Sequence, residues 1–160
     1  MQALPAATRP HLPPALRKFR TATRGWLCQL YYRDPRLHYE VWNMGERRGV
    51  LELGLHFEGR DREANLALLA GFSRQMVEVK ATLGPQWEAE AWDRGWTKVY
   101  ETLPYEGFSE ARLAAVAERL GRAISVLQPI WEGLEHKRKA RAPPVAYDRR
   151  RWCQVRCLAH

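Results

Sequence analysis

The clearest pattern in the chain runs from Val50 to Glu58. Leu51, Leu53, Leu55 and Phe57 alternate there with Glu52, Gly54, His56 and Glu58. Alternation with period two marks a strand with one buried face. A preceding strand, His38 to Met44, offers Tyr39 and Val41 to the same face. Matching the two apolar faces sets Val41 opposite Leu53 and His38 opposite His56, and leaves Gly45 to Gly49 as the hairpin loop.

The period then changes. Asp61 is a good N-cap, and Leu68, Leu69, Phe72, Met76, Val79 and Leu83 form one helical stripe that Gly84-Pro85 closes. A second hairpin follows, Trp87 to Trp92 and Trp96 to Leu103, around Asp93-Arg94-Gly95. Its register pairs Trp92 with Trp96 and Glu90 with Lys98, turning Ala89, Ala91, Val99 and Leu103 to the core. A last helix begins near Ser109 with the stripe Leu113, Val116, Leu120, Ile124 and Leu127, and Pro129 kinks or ends it. At the other end, Leu16, Phe19, Thr23, Trp26, Leu27 and Leu30 recur at helical spacing. They predict a helix from Pro14 to Asp34-Pro35, with Arg17, Lys18, Arg20 and Arg24 on its outer face.

These elements predict an α+β fold: an N-terminal helix, then two strand-strand-helix repeats. One four-stranded antiparallel sheet would carry helices on one face. The organisation is an extended lead-in over 1–13, one domain over 14–134 and a basic, mostly irregular tail over 135–160. The uncovered face would hold His38, Glu40, Trp42, Glu52, His56, Glu88, Glu90, Trp92, Trp96, Lys98 and Tyr100. Trp42, Trp92, Trp96 and Tyr100 make it aromatic enough to take a protein partner or a second copy of the chain, or to be covered by the N-terminal helix or the tail.

Composition adds one asymmetry. The net charge of +8 over 160 residues divides into +6 before His38, −4 from His38 to Gly133 and +6 from Leu134 onward. Basic ends on an acidic body point to nucleic acid or another polyanion. The residues expected to contact it are Arg17, Lys18, Arg20, Arg24, Lys137, Arg138, Lys139, Arg141, Arg149, Arg150, Arg151 and Trp152, the arginines pairing with phosphate and the tryptophan stacking. Three separated cysteines make no disulfide framework, and no apolar run reaches the roughly 20 residues of a membrane span, so a reducing cytoplasm is expected.

No motif for nucleophilic catalysis or phosphate cradling is present, and no cofactor is expected. Glu78-Val79-Lys80 echoes the metal-binding element of restriction-type nucleases, but falls where the periodicity is helical. Two sets have metal-ligating chemistry. His38 and His56, with Glu40 and Glu52 nearby, could hold a divalent ion or serve as an acid/base pair. The spacings of four and three would put Cys153, Cys157 and His160 on one face of a helix, with Cys28 or His11 to complete a tetrahedron.

The paired strands ending in Glu52 and Leu53, the Asn65 at the start of the helix, Leu83-Gly84, Trp87-Glu88 and the Gln128-Pro129-Ile130 close resemble a small uncharacterised bacterial domain. That domain is often found after restriction-endonuclease-like domains, and the likeness spans His38 to Ile130. The resemblance implies a setting of bacterial DNA transactions or defence. The expected function is a non-enzymatic, nucleic-acid-associated accessory protein. Its rivals are an adaptor for an acidic protein and a metal-dependent hydrolase using His38, His56 and Glu52.

Overall fold

The computed structural model describes residues 1–141. Six strands form one antiparallel sheet: β1 (Arg20–Thr23), β2 (Leu27–Tyr31), β3 (Leu37–Asn43), β4 (Val50–Phe57), β5 (Glu88–Ala91) and β6 (Thr97–Pro104). Their order across the sheet is β1-β2-β3-β4-β6-β5. The helices are α1 (Leu4–Thr8), α2 (Arg62–Ser73), α3 (Met76–Leu83) and α4 (Glu110–Arg141). The α+β class and the antiparallel sheet are as the hydrophobic pattern requires. The sheet has six strands, not four, and the elements do not repeat in the expected way.

Both central hairpins take the register set by their apolar faces. Val41 lies opposite Leu53, His38 opposite His56 and Glu90 opposite Lys98. Around the second turn, the Trp92 N–H donates to the Trp96 carbonyl at 2.9 Å. Arg94 and Gly95 absorb the reversal with φ of 58° and 76°. Ala91, expected inside, is exposed at the last position of β5, an edge strand.

The stretch expected to be one N-terminal helix is instead a 3₁₀ turn, Pro14–Leu16, followed by the β1–β2 hairpin. Its apolar residues fit two periods. Cys28 and Leu30 are buried while Leu27, Gln29 and Tyr31 are half-exposed, which is strand alternation. Tertiary context decides between the readings: β3 would have a free edge without β2, and β2 satisfies its backbone donors and acceptors. Gly25-Trp26 makes the turn, with the Arg24 N–H donating to the Leu27 carbonyl at 2.7 Å. The lead-in also holds more structure than expected, since α1 and a 3₁₀ turn at Arg9–His11 pack on α4.

The long middle helix is two helices, broken at Arg74-Gln75. Asp61 caps the first, accepting from the Ala64 N–H at 3.1 Å. The last helix does not stop at Pro129 but runs on to Arg141. Pro129 removes one N–H from the ladder, so the Ser125 carbonyl loses its helical donor. Lys139 and Arg141 are described in their backbone alone.

The core lies between the sheet and the helices. Leu51, Leu53, Leu55, Phe57, Tyr39, Val41 and Val99 face Phe72, Val79, Leu120, Ile124 and Leu127, all buried. Two glycines let segments close on the helices. A Cβ on Gly121 of α4 would stand 2.6 Å from the His11 Cβ, and one on Gly71 of α2 would stand 2.6 Å from Leu134. Among the described residues, no helix is long and apolar enough to cross a membrane.

Candidate functional site

The sheet face away from the helices carries a layer of polar side chains, built by strand alternation. His38 and Glu40 stand two apart on β3, so they share this face. Glu52 and His56 stand four apart on the neighbouring β4, and Lys98 stands on β6 opposite His56. Sequence reasoning expected an open face that the chain's own ends or a second copy would cover. In the single chain these side chains are already closed off. His38 and His56 are each 1% exposed, Glu52 3%, Glu40 6% and Lys98 8%. The side chains bury one another, with the flanking aromatics leaning over them.

The contacts show how. The two imidazoles stack with ring centroids 5.5 Å apart and planes at 18°. Trp92 meets His56 edge-on at 6.1 Å and Trp96 at 5.4 Å. Lys98 lies under two rings, its ammonium 3.9 Å from the Tyr100 centroid and 5.6 Å from that of Trp92. Its Nζ reaches Glu52 at 2.8 Å and Glu90 at 3.3 Å. Trp42, Trp92, Trp96 and Tyr100 are half-buried, and of these Trp92 and Tyr100 lie against the polar layer, with Trp96 packed on Trp92. Gly54 sits beneath Tyr100. A Cβ there would stand 2.6 Å from the Tyr100 Cβ and 2.7 Å from the Val99 carbonyl oxygen.

Sequence reasoning left two contributors off this face: Gln29, because it missed β2, and Glu58, although the alternation of β4 runs on to it. The Gln29 side-chain amide donates to Glu40 at 2.7 Å and stands 3.0 Å from His38 Nε2. Glu58 places a carboxylate oxygen 3.6 Å from His56 Nδ1. The alternation through Leu27-Cys28-Gln29-Leu30 was the available signal for Gln29. Nothing in the pattern marks the Pro35 carbonyl, which lies 2.8 Å from His38 Nδ1.

Charge balances unevenly across the layer. Burial works against the charge on His56, but Glu52, Glu58 and the field of Glu40 outweigh it, and its pKa is pushed up to about 9. Burial would raise the carboxyls as well. The His38 hydrogen bond and the nearby His56 charge hold Glu40 below its ordinary value, and His56 and Lys98 do the same for Glu52. Yet His56 lacks well-directed bonds. Its Nε2 is 3.2 Å from Glu52 Oε1, but neither ring nitrogen of His56 nor that Oε1 has a partner in hydrogen-bond alignment. These are contacts of charge at short range, not aimed hydrogen bonds.

The other candidates separate. Cys28 is buried in β2 and His11 is exposed after α1, while Cys153, Cys157 and His160 lie outside the described residues. Burial pushes the Cys28 thiol up to about 12. Glu78 and Lys80 are on helix α3, and Lys80 pairs with Glu88 at 3.1 Å.

Among the expected phosphate contacts, Arg17 and Lys18 lead into β1, Arg20 lies on it and Arg24 follows it. All are exposed, as is every residue of the strand. No carboxylate pairs with Lys18, Arg20 or Arg24 among the described residues. Trp26, 48% exposed, stands at the turn beside them. Lys137 and Arg138 are exposed on α4, and Arg138 is held by Glu135 at 3.0 Å. Arg149, Arg150, Arg151 and Trp152 lie outside the described residues.

No protein-family model matches the chain, and comparisons with curated proteins and with solved structures find no match.

Proposed function

We propose that this chain is a non-enzymatic binding module that engages an extended polyanion, a nucleic-acid backbone, along its β1 edge. One observation carries the reading: Lys18, Arg20 and Arg24 line a fully exposed edge strand, unpaired by any described carboxylate, with Trp26 at its end. Cations left without internal partners keep their full attraction for phosphate, and an exposed indole adds a stacking platform for a base. The setting implied by the resemblance, bacterial DNA transactions or defence, accords with this. The hydrolase reading draws no support from the polar layer, since a substrate has no path to side chains that are 1–8% exposed.

The experiment is a binding titration with single-stranded DNA, duplex DNA and RNA across a range of salt. Binding through about three phosphate contacts gives a log–log salt slope of about −3. No binding at low salt overturns the proposal.

A second reading has its own support. Among the described residues, the outer edge of β1 has no strand beside it, so an acidic extended peptide could add there as a further strand. Binding of polyglutamate-type peptides in preference to nucleic acid would select this reading.

A further inference from the structure

We propose that His38, Glu40 and His56 form a binding site for one divalent cation of the zinc class, seated between β3 and β4 under the aromatic lid. The inference stands apart from the polyanion reading.

The geometry comes first. These residues each offer one ligand atom, and the atoms all lie within 4.8 Å of one another. The His38 Nε2–Glu40 Oε2 separation is 3.2 Å. A tetrahedral site with bonds of about 2.0 Å has donor-to-donor edges of about 3.3 Å, so this pair is already spaced as two corners.

The orientation of His38 comes next. The Pro35 carbonyl can only accept, so His38 Nδ1, 2.8 Å away, carries the hydrogen. Nε2 then faces a carboxylate oxygen at 3.2 Å, an approach that a proton bridges in the metal-free chain and that a cation would bridge in its place. Two electron-pair donors facing each other in a buried place call for positive charge between them. A metal-ligating imidazole that donates its other N–H to a carbonyl is the usual outer-shell arrangement. Gln29 now supplies the positive end of its amide dipole there, and a half-turn of that amide would present its oxygen as a fourth ligand.

His56 is the independent observation. It is 1% exposed, and neither ring nitrogen has an aligned hydrogen bond. Buried polar groups are nearly always satisfied, and one that is not calls for an ion or another partner. The charge count agrees. Glu40, Glu52 and Glu58 bring three carboxylates against Lys98 and the proton on His56, so a divalent ion that takes the place of that proton neutralises the layer. Imidazole with carboxylate suits zinc, copper, nickel or iron better than calcium or magnesium.

The test uses the full chain carrying Cys153→Ser and Cys157→Ser, so that terminal thiols cannot bind. Metal-free protein is titrated with Zn²⁺ against a chromophoric chelator, and the histidine ring nitrogens are followed by NMR. One ion per chain is expected, with the His38 and His56 ring signals moving and those of His11 unmoved. His38→Gln, Glu40→Gln and His56→Gln should each weaken binding at least tenfold, while Glu90→Gln, on the rim of the same face, leaves it unchanged. Binding well below one ion per chain overturns the site. So does binding that leaves the His38 and His56 signals in place, a readout of the otherwise native chain that holds even if a ligand variant fails to fold.

Discussion

Gly54 shows how closely the polar face is fitted. It lies at the middle of β4, opposite Tyr100, and the absence of a side chain lets the Tyr100 ring lie down toward Lys98. A methyl at this position would meet a Cβ, a carbonyl oxygen and a Cα within 3 Å, none of which can rotate away. Gly54→Ala is therefore expected to cost about 1–3 kcal/mol, the usual range for overpacking a filled site. Gly25→Ala, with nothing within 4 Å of its Cβ, should stay within about 0.5 kcal/mol. Urea unfolding of the two variants beside the parent chain measures both. Cys28 makes the second residue-scale prediction. The thiolate is the reactive form, and a thiol held near pKa 12 by burial is about one part in ten thousand ionised at pH 8. Cys28 should resist iodoacetamide in the folded chain and react in denaturant, read by peptide mapping. Equal labelling in both states would show that β2 opens to solvent.

The elements are joined as much by polar fastenings as by apolar area. Glu101 on β6 points into the helix side with its side chain wholly buried, where Arg119 of α4 grips both of its oxygens and Gln86 donates at 2.9 Å. Removing one partner leaves a buried charge uncompensated, so Arg119→Ala should cost about 3 kcal/mol. Replacing both partners, Arg119→Leu with Glu101→Leu, should cost less than the single change, because no charge is then stranded. Thermal melts of the two variants decide it, and a double variant worse than the single would mean that the pair fixes α4 on its own account. This fastening was not legible in the sequence, where Glu101 reads as one polar position in a strand. The hairpins were legible because their apolar residues allow a single register. The N-terminal hairpin was not, because Leu16 to Leu30 satisfies a helical and a strand period together, and only the free edge of β3 selects between them. The polar face was half legible. Alternation placed His38, Glu40, Glu52, His56 and Lys98 on one side, but their burial depends on Trp92, Trp96 and Tyr100 leaning inward, which a period cannot express.

At the scale of the whole molecule, net charge and its placement make different predictions. The chain carries +8, and a protein that binds nucleic acid through net charge alone should lose affinity equally wherever cations are removed. Binding along β1 should not behave so. The sheet order puts β1 at one edge, while α2 packs over β5 and β6 at the other. Arg20→Glu with Arg24→Glu, and Arg62→Glu with Arg74→Glu, each lower the formal charge from +8 to +4. All four arginines are exposed, so neither pair of changes should disturb the core. The β1 pair is expected to weaken single-stranded DNA binding at least tenfold and to reduce the salt slope by about 2, one for each phosphate no longer neutralised. The α2 pair should change affinity by less than about threefold, through the long-range field alone, and leave the slope in place. Anisotropy titrations at several salt concentrations separate the cases. Equal losses from the two variants would assign binding to the charge of the whole chain and remove β1 as its address. A loss confined to β1 would fix the polyanion at the sheet edge, with the cation site of the polar face left as a separate feature of the β3–β4 pair.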